Sequence, residues 1–95
     1  MAYLTSAEIA AVRQKPRARR LRAAVRVSEF TYVSLAAKVG LSRAHLAAAA
    51  TGRQSLSLSM KLRVGRALGV PPAVLWPELE TLALEILQGV RGGAK

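Results

Sequence analysis

Side chains able to perform acid–base, nucleophilic or metal chemistry are few in this chain, and they do not cluster. There is one histidine, His45, and all five acids are glutamates; cysteine and aspartate are absent. A lone imidazole with no second His, Cys or Asp completes neither a metal site nor an acid–base pair. Glu78, Glu80 and Glu85 have no evident partner, and no glycine-rich phosphate loop or metal-ligand spacing occurs. The residues therefore predict no enzyme, no metal and no cofactor. What the chain holds in quantity is fixed positive charge.

Lys and Arg number 15 in 95 residues, for a net charge of +10. Thirteen of these fall within residues 13–66 against a single acid, Glu29, a local net of +12. The flanks are near neutral or acidic, with Glu8 before and Glu78, Glu80 and Glu85 after. Such a field attracts polyanions: nucleic acid, acidic protein surfaces or anionic membranes. The same charge could also serve only to keep an alanine-rich chain in solution.

A hydrophobic fraction of 52% argues against a disordered basic tail, and the length suits one domain with one core. Only Tyr3, Phe30, Tyr32 and Trp76 are aromatic, so that core must be thin, built from closely packed helices, with Trp76 in it. Lack of cysteine removes disulfide frameworks and thiolate sites and fits an intracellular protein. No uncharged apolar run nears the roughly 18–20 residues of a bilayer span, so no membrane partner is expected. The first twelve residues lack the pattern of a secretory signal. Residues 1–27 imitate an Arg-rich transit peptide, but their helical pattern continues into the domain.

Helix starts and stops are legible, and nothing alternates with period two. Thr5 with Glu8 forms a capping box, and Leu4 faces Ile9 as a hydrophobic staple, opening a helix from 6 to 14. Pro16 either starts a second helix at its first position or kinks a continuous one. From Arg17 to Val27, Leu21, Ala24 and Val25 share one face, with Arg17, Arg19, Arg20, Arg22 and Arg26 around it. Phe30-Thr31 and Leu41-Ser42 repeat the staple and cap. They predict a helix from Tyr32 ending at Gly40, then one from Arg43 to Ala50. Two short helices separated by Gly-Leu-Ser read as a helix-turn-helix. A helix over 58–68 follows, then a short turn over 73–76, then a last helix from Pro77 with an apolar stripe. The fold class is all-α, a compact bundle of about five or six short helices. Its parts are an extra helix in 1–15, the helix-turn-helix unit in 16–76 and the amphipathic helix of 77–95.

The ordered set Leu35-Ala36-Ala37-Lys38-Val39-Gly40-Leu41-Ser42-Arg43-Ala44-His45-Leu46, then Gly52, then Ala67-Leu68-Gly69-Val70, resembles the lambda-repressor/Cro-like helix-turn-helix domain. Val70-Pro71-Pro72-Ala73-Val74-Leu75-Trp76-Pro77-Glu78 is similar to the tail of Ner-like phage regulators. The resemblance spans residues 17–78. Two departures stand out. Where the family often pairs a glutamate and an arginine, this chain has Ala50 and Val25, an ion pair exchanged for an apolar contact. The second helix of the pair is also unusually poor in polar side chains.

The resemblance implies a sequence-specific double-stranded-DNA regulator, of repressor type, cytoplasmic and nucleoid-associated. The helix from Arg43 would enter the major groove and the helix from Tyr32 would cross the backbone. Base-reading positions map to Arg43, Ala44 and Ala48, with Ala47 and Thr51 nearby. Arg43 can fork onto guanine, worth ~1–3 kcal/mol of discrimination, whereas alanine offers only a methyl contact. Affinity must then rest on phosphates. Candidates are Tyr32 and the amides at its helix start, Lys38, His45, Arg53, Gln54, Ser55, Ser57 and Ser59, with Arg17, Arg19 and Arg20 either contacting DNA or forming a solvated face. The stripe Leu79, Leu82, Ala83, Ile86 and Leu87 either folds back or pairs two chains into a homodimer, which the geometry of palindromic sites favours. A rival reading keeps the fold but turns its basic face to an acidic protein partner.

Overall fold

The computed structural model describes residues 3–80 of the chain. They form an all-helical bundle: α1 (Ser6–Arg13), a 3-10 turn (Arg17–Arg19), α2 (Arg20–Val27), α3 (Tyr32–Val39), α4 (Arg43–Ala50), α5 (Leu58–Leu68) and α6 (Pro72–Leu75). Helices α1, α3, α4 and α5 each start where a hydroxyl satisfies an otherwise orphaned amide, whereas α2 follows the 3-10 turn at Arg19 with no side-chain cap. Thr5 and Glu8 make the expected capping box on α1, with Glu8 N–H 3.2 Å from Thr5 Oγ1 and Thr5 N–H 2.9 Å from Glu8 Oε1. Thr31 caps α3 and is answered by Ser34, a second box. Ser42 caps α4 through the His45 amide at 3.0 Å.

Pro16 takes neither of its two expected places. Helix α1 ends at Arg13, and Pro16 lies outside any helix, its carbonyl accepting from Arg19 N–H at 2.8 Å to start the 3-10 turn. The short turn near residue 73 begins one residue earlier than expected, at Pro72, whose missing N–H and preset φ suit a first helical position. Trp76 falls outside it because Pro77 disfavours the helical region for the residue before it.

The core runs through all the helices. Leu35, Leu46, Leu68, Leu75, Val12 and Val64 are fully buried, and Trp76 packs half-buried against them. Ala24, Ala36, Ala50, Ala67 and Gly65 are buried between, which lets the helix axes approach. At Gly65 a Cβ would stand 2.9 Å from both Pro72 Cγ and the Val70 carbonyl, so α6 can lie on α5 only over a glycine. Val25 and Ala50 are both buried, on helices α2 and α4 that pack together. Gly40, at φ +84°, turns the chain sharply from α3 into Leu41-Ser42 and α4. No helix among the described residues is long and apolar enough to cross a membrane.

Candidate nucleic-acid interface

Helix α4 buries Leu46 and Ala50 and turns its leading residues outward: Arg43 and Ala44 are exposed, and His45, Ala47 and Ala48 are half-buried. Behind it the chain folds back on the helix end. The Ala48 carbonyl accepts from Arg53 N–H at 2.9 Å and Gln54 N–H at 3.3 Å. This return brings Gln54 and Ser55 beside the start of α4, where they line an open depression with Ser42, Ala44 and His45. Gln54 and Ser55 also line a neighbouring cleft that contains Arg17, Lys61, Trp76 and Glu78. A continuous polar band thus runs from Ser42 to Arg17, with Arg53 exposed in the loop beside it. Its chemistry is hydrogen bonding to an extended surface, from guanidinium, ammonium, imidazole, amide and hydroxyl groups with one carboxylate, Glu78.

Several predicted contacts have other work. Arg20, expected on phosphate, clasps the protein itself. Its Nε donates to the Lys15 carbonyl at 3.1 Å, Nη1 to Val74 at 2.9 Å and Nη2 to Arg13 at 3.0 Å. All three nitrogens serve carbonyls where α1 ends and α6 turns, so three of the five guanidinium N–H groups are engaged within the protein. Arg17 lies 2.8 Å from Glu78 Oε2. That oxygen still lacks a hydrogen bond of good geometry, so the contact is Coulombic. Thr51, expected on a base, donates its hydroxyl to the Ala48 carbonyl at 3.1 Å and has only lone pairs to offer. Ser57 is the N-cap of α5, accepting from Met60 N–H at 3.3 Å. Lys38 is carried to the far end of α3 and lines a different cleft.

The other predicted residues are placed as follows. Arg19, Arg53 and Ser59 are exposed, and Tyr32 is half-buried against the core. The Thr31–Ser34 box occupies two amides at the start of α3, leaving those of Tyr32 and Val33 for an anion. Leu79 is half-buried. Leu82, Ala83, Ile86 and Leu87 lie outside the described residues.

Glu78 and Lys61 were not legible as site residues. Lys61 Nζ is 3.4 Å from Glu78 Oε1 and 6.0 Å from the Trp76 ring centre, so one ammonium meets a carboxylate and an aromatic face. Partial burial pushes the Glu78 carboxyl up; its own backbone amide, the Arg17 guanidinium and Lys61 outweigh that and hold it below the ordinary carboxylate value. These partners are 17 residues or more apart in sequence, and no local pattern marks them. The class defined by these residues is a small helical domain with a cationic, hydrogen-bonding face around α4. No protein-family model, curated protein or solved structure matches the chain.

Proposed function

We propose that this protein binds double-stranded DNA sequence-specifically, placing α4 in the major groove. By the resemblance of its sequence, it would act as a repressor that occupies an operator. The observation that carries the reading is the exposed Arg43 at the leading end of α4, beside polar side chains at Ser42, His45, Gln54 and Ser55. That arrangement suits one forked base contact among several backbone contacts. Phosphate contacts position a protein without reading bases, so sequence preference beyond Arg43 falls to DNA shape.

Two copies acting on half-sites ~34 Å apart, joined through residues 77–95, would supply the affinity a single short helix lacks. The working location would be the cytoplasm, at the nucleoid. One observation favours the protein-interaction reading instead: α4 offers a single guanidinium and otherwise mostly methyl groups.

Selection of bound duplex from a random pool, with solution mass measured alongside, tests the proposal. A recovered consensus that loses one guanine on Arg43→Ala, with an affinity that falls as salt rises, supports it. No enrichment at modest salt, or an unchanged consensus in Arg43→Ala, sinks it.

A further inference from the structure

Where α3 packs on α5 there is a cleft of about 360 Å³ lined by Tyr3, Lys38, Val39, Arg63, Arg66 and Ala67. Its volume lies at the low end of the roughly 300–1,000 Å³ of small-molecule sites. The lining is mainly apolar, with three cations and no acid. Among the described residues the ion pairs belong to Arg17 and Lys61, both with Glu78, and none to Lys38, Arg63 or Arg66. Three like charges at one mouth repel one another, and an anion between them would relieve that repulsion.

Helix electrostatics accounts for only part of this arrangement. Lys38 and Arg66 stand in the last turns of α3 and α5, where a cation complements the carbonyl end. Arg63 does not; it lies within α5, and its guanidinium passes 3.8 Å from where a Cβ on Gly40 would stand. Several carbonyls at these helix ends are already engaged. Ala36 O accepts the Gly40 and Leu41 amides, Gly65 O accepts Val70, and Leu68 O accepts the Leu4 amide at 2.9 Å.

That last bond also builds a wall. It pins the chain ahead of α1 across the end of α5, so that Tyr3 lies on Gly69, where a Cβ would fall 2.6 Å from Tyr3 Cβ. Gly69 is at φ +70°, so close approach and backbone turn both require glycine there. Tyr3 itself remains 57% exposed, an aromatic face held in place with room over it.

We propose that this cleft binds a small organic anion with an apolar or aromatic body, such as an aryl carboxylate. The body rests on Tyr3, Val39 and Ala67, and the anionic group sits between Lys38, Arg63 and Arg66. The cleft shares no lining residue with the depression beside α4, so the proposal stands apart from the DNA reading.

The test titrates the full chain with 2-naphthoate and follows backbone amides by NMR. One-to-one saturation is expected, with the largest shifts at residues 38–40 and 66–69. Two controls, 2-naphthylmethanol, which keeps the body without the charge, and inorganic phosphate, which keeps the charge without the body, should each bind at least ~10-fold more weakly. The double substitution Arg63→Gln with Arg66→Gln, at two exposed positions, should weaken 2-naphthoate ~10-fold with thermal stability unchanged. Shifts centred elsewhere in the wild-type protein overturn the proposal, as does equal binding of inorganic phosphate or wild-type affinity in the double variant. A short DNA duplex that displaces 2-naphthoate one for one would assign the cations to a nucleic-acid backbone and overturn it too.

Discussion

The face around α4 and the cleft between α3 and α5 use positive charge in contrasting ways. Around α4, Arg43 and Arg53 are spread along a shallow band of hydroxyl, amide and imidazole groups, a surface suited to a long partner touched at many points. In the cleft, Lys38, Arg63 and Arg66 share one lining with Tyr3, Val39 and Ala67, which suits one compact charge with an apolar body. The remaining cations teach the complementary lesson. Arg20 is spent on backbone carbonyls, and Arg17 and Lys61 are drawn to Glu78. The net charge of +10 therefore overstates what a polyanion meets on any one side.

Both regions lean on α3, so the contrast can be broken at its root. Leu35, fully buried in α3, should cost ~2–5 kcal/mol on substitution by alanine, read by urea denaturation. Duplex binding and 2-naphthoate binding should then fail together; survival of either would show that it does not need that helix. Next in size is Arg20→Ala, expected to lose ~1.5–3 kcal/mol of stability as three carbonyls lose a charged donor. Arg20→Lys should recover less than half of this, because an ammonium lacks the planar fork. Exposed Arg19→Ala should stay within ~0.5 kcal/mol; an equal loss at Arg19 would erase the distinction between clasping and free arginines.

The contrast sharpens with Arg43→Ala. It should remove ~1–3 kcal/mol of discrimination at one base pair in a competition assay and leave 2-naphthoate affinity untouched. The smallest effect belongs to Glu78→Gln, under ~1 kcal/mol near neutral pH because the carboxylate is partly exposed. Glu78 is held below the ordinary carboxylate value, so its contribution is present above that value and lost as pH falls through the folded-state one. Denaturation midpoints taken from neutral into acid should therefore fall less steeply in Glu78→Gln than in the wild-type protein.

The local signals read from the chain correspond to structure where cause and effect lie within one turn. Thr5 with Glu8, Thr31, Ser42 and Gly40 act on amides or dihedrals three or four residues away, and the helix bounds follow from them. Ser57 belongs to the same set, though the polar loop around it hides the cap in the sequence. The site was less legible. Arg20 meets Val74, 54 residues on, and nothing in the pattern of α2 separates it from Arg19 or Arg22. Lys38 lies in the motif, at the last turn of α3, and lines the cleft beside α5, a placement that motif spacing does not report. Arg63 and Arg66 share a face by their spacing, yet their meeting with Lys38 depends on how α5 lies against α3.

The reach of Arg20 also bears on the order in which the bundle assembles and opens. Helices α3 and α4 are neighbours in sequence and in space, so their union closes only a short loop. Joining α2 to α6 must close a far longer one, and such contacts tend to form late. Hydrogen exchange should accordingly find the amides of α6 and of the turn after α1 released together, at a lower opening free energy than those of α3 and α4. The arginine would then act as a hasp, its release freeing α6 and the turn after α1 while α3 and α4 stay folded.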